Sequence, residues 1–285
     1  MEQLIAKAWE VRQANFPNVV EFDFPVSTKA ISVTGSQCHL QCAHCNGHYL
    51  NAMVPITDWR TGLNRNITSC LISGGCELNG KVPLIRYLPL IKEIRQSRRR
   101  TNLHVGLLDD DEIEPLSQVA DVVSFDFVGD NQTIQEVYGL DKTVEDYIRV
   151  YLGLRQKVRV LPHICIGLRG GQISGEYKAL EMLKQLGAEG LVFIVFAPTD
   201  GTDYADKQPP AMADVVRILC KAREEFADIP IHLGCMRPKG KYRLKLDELA
   251  LRCGVNKIVQ PTPAAIALAK ELGLEVRNGE ECCVL

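Results

Sequence analysis

The sequence has no excess of charge of either sign. Its 285 residues include 33 Lys and Arg against 35 Asp and Glu, which gives a formal net charge of −2. Proteins whose main partner is nucleic acid usually carry a strongly basic surface. The charge balance therefore argues against nucleic acid as a partner.

Long apolar runs are also missing. No run approaches the ~18 residues that a membrane-spanning helix needs, so no membrane partner is expected. The first residues, "MEQLIAKAWEVRQANFP", lack the apolar segment of a secretory signal and predict an amphipathic helix that stops near Pro17. Without a secretory address, the protein is expected in the cytoplasm.

The chain contains no Pro-, Ser- or Gly-rich linker, no repeat and no low-complexity segment, which predicts a single domain over 1–285. Residues 1–28 are predicted to form an N-terminal helix and lead-in, and 276–285 a cysteine-containing tail. Continuously apolar runs predict strands that are buried on both faces. These runs are 30–35, 69–75, 102–108, 122–129, 160–168, 190–198, 229–235 and 257–261.

Helical patterns lie between most of these strands, at 175–188, 210–227 and 263–274 for example. The alternation predicts an α/β fold, a (β/α)8 TIM-type barrel. Alternation alone does not establish closure, so an open doubly wound sheet remains an alternative, as does an open partial (β/α)6 barrel with a C-terminal extension.

Cysteine, in contrast, is abundant, with eleven residues. In a reducing compartment, this number indicates metal or redox chemistry rather than disulfides. The stretch "GSQCHLQCAHCNGHYL" (35–50) places Cys38, Cys42 and Cys45 in CxxxCxxC spacing directly after the first predicted strand. In a barrel this position is the C-terminal mouth, where active sites lie.

Three thiolates can hold three irons of a [4Fe–4S] cluster and leave the fourth iron without a protein ligand. That iron is then free to coordinate a substrate or cofactor. Zinc sites usually take four ligands from two separated pairs. A zinc or redox site completed by a distant cysteine is therefore the alternative.

CxxxCxxC after the first strand of a β/α barrel resembles the radical S-adenosylmethionine (radical SAM) superfamily, in which an aromatic ring commonly precedes the third cysteine, as His44 does here. The resemblance implies that S-adenosylmethionine binds the open iron and is cleaved to methionine and a 5′-deoxyadenosyl radical. This radical removes hydrogen from an aliphatic C–H bond, so the cofactor carries the difficult chemistry.

Other strand ends carry weaker similarities to the same superfamily. Gly74 and Gly75 match its glycine turn, although Cys76 stands where an acidic residue is usual. The resemblance implies further S-adenosylmethionine contacts at Ile166 and Gly167. Asp126, near a strand end, is either a contact to a ribose hydroxyl or the amino group of S-adenosylmethionine or a carboxylate satisfied by donors inside the barrel. Pro198, Thr199, Gly201 and Thr202 resemble a loop of the biotin-synthase-like branch. Three further residues each have two alternative roles. His163 is a polar contact or a core residue, and Glu176 is a helix-start carboxylate or a cofactor contact. Arg237 binds a carboxylate or serves as a cluster ligand.

Four of the remaining cysteines, Cys76, Cys235, Cys282 and Cys283, are candidates for a second, auxiliary iron–sulfur cluster. Cys76 and Cys235 end strands at one barrel face, and the tail is expected to fold back over that face. Biotin synthase and lipoyl synthase use such a cluster as a sulfur donor, so sulfur insertion is the leading expectation, as in small homologues that act in pairs to make lipoyl groups.

Two alternatives remain open. One is radical rearrangement or fragmentation of a carbon skeleton without sulfur transfer, and the other is a non-enzymatic iron–sulfur or zinc carrier. The expected partners are S-adenosylmethionine, a small or protein-bound acyl substrate, a one-electron reductase of the ferredoxin or flavodoxin type, and a second radical SAM protein.

Overall fold

The computed structural model describes residues 1–285. The strands are β1 (Val19–Asp23), β2 (Thr28–Ser32), β3 (Val54–Pro55), β4 (Ser69–Ser73), β5 (Arg100–His104), β6 (Val122–Asp126), β7 (Val160–Ile166), β8 (Leu191–Val195), β9 (Ile231–Leu233), β10 (Lys257–Val259) and β11 (Glu275–Gly279). The α-helices are α1 (Glu2–Asn15), α2 (Trp59–Gly62), α3 (Leu88–Gln96), α4 (Asp110–Ser117), α5 (Asn131–Tyr138), α6 (Val144–Arg155), α7 (Glu176–Leu186), α8 (Met212–Glu225), α9 (Lys241–Arg252) and α10 (Pro263–Glu271).

All strands belong to one parallel sheet with the order β11-β1-β10-β9-β8-β7-β6-β5-β4-β2-β3. The eight predicted strands are β2 and β4 to β10, and they follow one another in the sheet as they do in the sequence. The predicted β/α barrel architecture is therefore confirmed. No ladder joins β10 to β2, so the partial-barrel alternative also fits.

The sheet curls until its two ends approach each other. β1 and β11, which the sequence analysis did not predict, extend the sheet beyond β10. The backbone N–H of Phe24 donates to the carbonyl of Gly279 (2.8 Å), and that of Ser27 donates to Glu280 (2.8 Å). The residues after β11 thus bridge the gap in front of β2. In the predicted tail, residues 276–279 belong to β11, and residues 280–285 form the bridging segment.

Helices cover the outer face of the sheet and enclose the main apolar core of 65 buried residues. On each strand, side chains alternate between this outer layer and the interior. In β7, Leu161 packs with interior residues, whereas Ile164 and Ile166 belong to the main core. Polar side chains on the strands therefore face a separate interior space. None of the helices has the length and apolar character needed to cross a membrane.

Candidate functional site

The three cysteines lie in the loop that follows β2, at the edge of the sheet where the parallel strands end. Cys42 is buried with 7% of its surface exposed, and Cys38 and Cys45 are half-buried. All eleven cysteines carry free thiols. The position at the C-terminal mouth is the one expected from the sequence.

Backbone hydrogen bonds hold this loop in place from three directions. The N–H of Ala43 donates to the carbonyl of Val137 (2.8 Å), and the carbonyl of Ala43 accepts from the N–H of Tyr204 (3.0 Å). The N–H of His39 donates to the carbonyl of Cys76 (2.9 Å). The loop is therefore anchored to α5, to the segment after β8 and to the segment after β4.

Gly75 allows the segment after β4 to touch the cysteine loop. A Cβ atom at this position would lie 2.0 Å from the carbonyl oxygen of Gln37 and 2.6 Å from the Cα of Cys38. At Gly74 it would lie 2.9 Å from Val33. The two glycines are thus required by the close approach of the loops, a contact that the sequence analysis had not anticipated.

Neighbouring groups shift the pKa values of two of the loop thiols, Cys42 and Cys45. Cys42 and Cys45 are hydrogen-bonded partners, and this contact, together with burial, raises the pKa of Cys42. The same contact lowers the pKa of Cys45 to about 4, with a contribution from the imidazole of His44. Cys45 therefore ionises before Cys42.

The donor chemistry of the loop fits an iron–sulfur cluster. Three free thiols share one anchored loop, and the Nδ1 atom of His44, beside the third thiol, is buried without a hydrogen-bond partner. Nowhere in the chain are three or more His, Cys, Asp or Glu side chains gathered in metal-binding geometry. Holding a cluster therefore requires the thiols to rotate towards a common point.

Cys76 lies beside the triad. Burial, with smaller contributions from Cys38, Asp126 and Cys45, raises the pKa of its thiol to about 12. Cys76 is not among the groups that shift the pKa values of Cys282 and Cys283. The structure thus associates Cys76 with the cysteine loop.

Asp126 faces the open interior below the loop, with 44% of its side chain exposed, and pairs with His104 (3.2 Å). Burial acts to raise the pKa of Asp126, but the charge and hydrogen bond of His104 outweigh burial and lower it to about 2. Burial acts to lower the pKa of His104, but the charge and hydrogen bond of Asp126 outweigh burial and raise it. The pair is therefore an ion pair at mildly acidic pH.

His104 was not among the residues predicted from the sequence. It ends β5, opposite Ser124 in the neighbouring strand β6, two residues before Asp126. A histidine and a carboxylate within two consecutive predicted strands, 102–108 and 122–129, were the signal that would have found the pair.

The segment after β7 is held by Glu176. Its carboxylate accepts hydrogen bonds from the backbone N–H groups of Gly167 (2.7 Å) and Ser174 (2.7 Å). Gly167 has a φ of +74° and approaches Pro210 closely. Both carboxylate oxygens are therefore occupied by the protein itself. Ile166 points into the outer core, so only its backbone lies at the strand end.

Arg237 is not available to the carboxylate of a substrate, because its ion-pair partner lies within the chain. Its guanidinium donates to both carboxylate oxygens of Asp247 (2.8 and 3.1 Å), and both side chains are 0% exposed. Further donation goes to the carbonyls of Gly234 and Gln260. The expected carboxylate is thus structural.

The tail differs most from the sequence-based expectation. It was expected to cover the face where strands end, but Val284 packs against residues at the beginning of the central strands: Val122, Leu161 and Val192. Cys283 reaches the middle of the interior, where its Sγ atom lies 3.9 Å from Nε2 of His163. Burial raises the pKa of both tail thiols, and the nearby Cys235 makes a smaller contribution to each.

No protein-family model matches the sequence, and no curated protein matches it. Solved structures match by fold. Methylornithine synthase (PylB) superposes with a TM-score of 0.68 and 15% identity, covering 97% of this chain and 89% of that one. SuiB of Streptococcus suis, solved with S-adenosylmethionine bound, superposes with a TM-score of 0.57 and 14% identity, covering 78% of this chain and 52% of that one. SuiB bound to its precursor peptide SuiA superposes with a TM-score of 0.58 and 15% identity, covering 79% of this chain and 52% of that one. The chain therefore shares their fold.

Proposed function

We propose that the chain is a radical S-adenosylmethionine enzyme that removes a hydrogen atom from an aliphatic C–H bond. One observation carries the proposal: three free thiols in CxxxCxxC spacing occupy an anchored loop at the C-terminal mouth of a partial β/α barrel. The fold is shared with SuiB, which has been solved with S-adenosylmethionine bound. When bound, the cluster and S-adenosylmethionine supply the radical chemistry.

The residues of this chain then have distinct tasks. Cys38, Cys42 and Cys45 hold the [4Fe–4S] cluster, and the contact through Gly75 keeps their loop against the sheet. The interior below the loop presents the carboxylate of Asp126, which is available to a hydroxyl or an amino group of S-adenosylmethionine. Gly74, Gly75, Ile166 and Gly167 lie at the same mouth as further cofactor contacts, although the N–H groups of Gly75 and Gly167 already donate to Thr34 and Glu176.

The test is anaerobic reconstitution followed by reduction with S-adenosylmethionine present. We expect about four irons and four sulfides at the loop and the release of 5′-deoxyadenosine. Cys42→Ala should abolish 5′-deoxyadenosine formation, whereas Cys70→Ala, which changes a buried strand cysteine, should retain it. A reconstituted parent protein that releases no 5′-deoxyadenosine would instead favour the carrier alternative.

Sulfur insertion into an aliphatic chain is the more specific candidate, and it requires a second cluster as donor. The presence of Cys282 and Cys283 inside the barrel supports it, because a sulfur donor must reach the substrate cavity. The whole-chain neighbour is a methylornithine synthase and lends sulfur insertion no support. The carbon-skeleton reaction therefore stays the second candidate.

Cluster integrity during turnover separates these two candidates. Sulfur insertion predicts that sulfide is lost from the protein in proportion to product, with an octanoyl-bearing protein as the first substrate to try. Rearrangement predicts that iron and sulfide per chain stay constant over many turnovers. The same assay shows whether a second radical SAM protein is needed for product formation.

The proposal also includes an external electron donor and a cellular location. Reduction of a low-potential cluster needs a one-electron reductase, for which a ferredoxin or a flavodoxin is suited. Eleven free cysteines suit the reducing cytoplasm.

A further inference from the structure

The last six residues, 280–285, enter the barrel from the end where its strands begin. The carbonyl of Glu280 accepts from the N–H of Ser27, and the hydroxyl of Thr28 accepts from the N–H of Cys282 (2.9 Å). Val284 is 1% exposed and packs in a small cluster with the interior residues Val122, Leu161 and Val192. The tail is thus a built part of the barrel interior.

His163 faces this tail with one nitrogen free. Its ring is 9% exposed, and Nδ1 lies 3.0 Å from the carbonyl oxygen of Leu161. A carbonyl only accepts, so Nδ1 carries the proton and Nε2 of the neutral ring keeps its lone pair. That Nε2 lies 3.9 Å from Sγ of Cys283. Anchoring one ring nitrogen on a carbonyl is how metal-binding histidines are oriented.

Other contacts keep both tail thiols in position. His232 donates from Nδ1 to the carbonyl of Cys283 (2.7 Å), and Asn102 donates to Sγ of Cys282 (3.5 Å). The N–H of Leu285 donates to the carbonyl of Cys282 (3.0 Å), so the chain turns at this point. In a strand, adjacent side chains point to opposite faces, but a turn does not impose this alternation. The side chains of Cys282 and Cys283 are therefore able to point to the same side.

We propose that Cys282, Cys283 and His163 form a second metal site, separate from the cysteine loop, that takes zinc or iron as a single ion or within a small cluster. Two thiolates and one imidazole are donors that both metals accept. In a tetrahedral zinc site, sulfur and nitrogen ligands lie about 3.6 Å apart. The 3.9 Å between Sγ of Cys283 and Nε2 of His163 therefore needs a closure of only a few tenths of an ångström. The Cys282 thiol, which now accepts from Asn102, has to rotate towards these two donors, because no three donors are gathered in metal-binding geometry.

This site has a different composition from the four-cysteine set suggested by the sequence. His163 takes the place of two members of that set: Cys76, which lies with the loop triad, and Cys235, which is not a ligand of the proposed site. The site differs from the loop in its ligands, although the tail reaches the middle of the interior, where His163 lies next to Asp126 in the sheet. Its existence does not depend on radical chemistry at the loop.

The test measures metal binding directly in a background that lacks the loop site, Cys38→Ala/Cys42→Ala/Cys45→Ala. This protein is loaded anaerobically with Zn²⁺ or with Fe²⁺ and sulfide, and bound metal per chain is counted. We expect bound metal to remain. Adding Cys282→Ala/Cys283→Ala should weaken binding at least about tenfold, and His163→Gln should do so by about the same factor.

The matched control is Cys220→Ala/Cys253→Ala in the same background. It removes another close thiol pair, with Sγ atoms 3.4 Å apart, that is buried between α8 and α9. The control should bind as much metal as its parent. Co²⁺ serves as a spectroscopic probe, and His163→Gln, which leaves the tail intact, should change its absorption spectrum.

Three results would overturn the site: no metal in the background protein, tail variants that bind like the control, or an unchanged Co²⁺ spectrum in a folded His163→Gln protein. Failure of the loop chemistry gives a different pattern. In that case the tail variants with an intact loop would lack iron and sulfide, while the background protein would still bind metal.

Discussion

Single residues set the charge of the barrel interior, and Asp126 with His104 is the clearest case. The pKa of Asp126 is lowered from 3.8 to about 2 in the folded chain, so its contribution to stability is complete above about pH 4 and is lost as the pH falls towards 2. The pKa of His104 is raised above 6.5, so its contribution is complete below that pH and is lost as the pH rises through the folded value. The pair stabilises the fold most between about pH 4 and 6.5.

Asp126→Asn should therefore cost most in this window. Because the carboxylate is 44% exposed, the expected loss is no more than about 1 kcal/mol of unfolding free energy. Urea unfolding across pH 3 to 9 measures the difference from the parent protein. A difference of constant size over that whole range would show that the two groups do not share a charge interaction.

Gly75 gives a second prediction at this scale. Gly75→Ala places a methyl group 2.0 Å from the carbonyl oxygen of Gln37, so the cysteine loop must move and cluster loading should fall severalfold. Gly139→Ala is the control, since its Cβ meets nothing within 4 Å and only its φ of +65° causes strain, worth about 1 kcal/mol. Iron and sulfide per chain distinguish the two. Equal loading in both variants would contradict the role of Gly75.

Among the elements, α7 shows how one side chain can support a whole loop. Glu176→Ala removes a buried carboxylate that accepts from Gly167 and Ser174, and it should cost about 2–3 kcal/mol. Glu181→Ala on the exposed side of the same helix should cost less than about 0.5 kcal/mol. Denaturant unfolding of both variants provides the measurement. Similar losses at the two positions would mean that the loop is held by something else.

The elements also show what a sequence can predict. The central strands were predictable because strands covered on both faces are continuously apolar, as "LVFIV" in β8 is. β11, with the sequence "EVRNG", is an edge strand with a largely exposed pattern, so it carries no such run. β1 is short and includes Glu21 and Asp23. Both were missed because their pairing depends on partners far away in the sequence.

The site follows the same division. The cysteine triad could be predicted, because its spacing is local and follows a recognisable strand. The contact between Cys283 and His163 joins residues 120 positions apart, and only the curled sheet brings them together. Arg237 shows the converse, since a sequence cannot reveal that its carboxylate partner, Asp247, lies in the same buried core.

For the whole molecule, the curled sheet creates one interior with two ends. The cysteine loop closes the end where strands finish, and the C-terminal tail fills the other end through Val284. The polar side chains between them, including the pair of Asp126 and His104, line the interior space, and under the proposed function a substrate meets the radical there. Function therefore depends on whether the loop holds a cluster with one iron open to S-adenosylmethionine.

Electron paramagnetic resonance of the reduced, reconstituted protein tests this claim most directly, with spectra recorded before and after addition of S-adenosylmethionine. We expect a [4Fe–4S] signal that depends on Cys38, Cys42 and Cys45 and whose g values change when S-adenosylmethionine is added, because the ligand coordinates the open iron. A signal that persists in the triple alanine variant, or one that S-adenosylmethionine leaves unchanged, would contradict it.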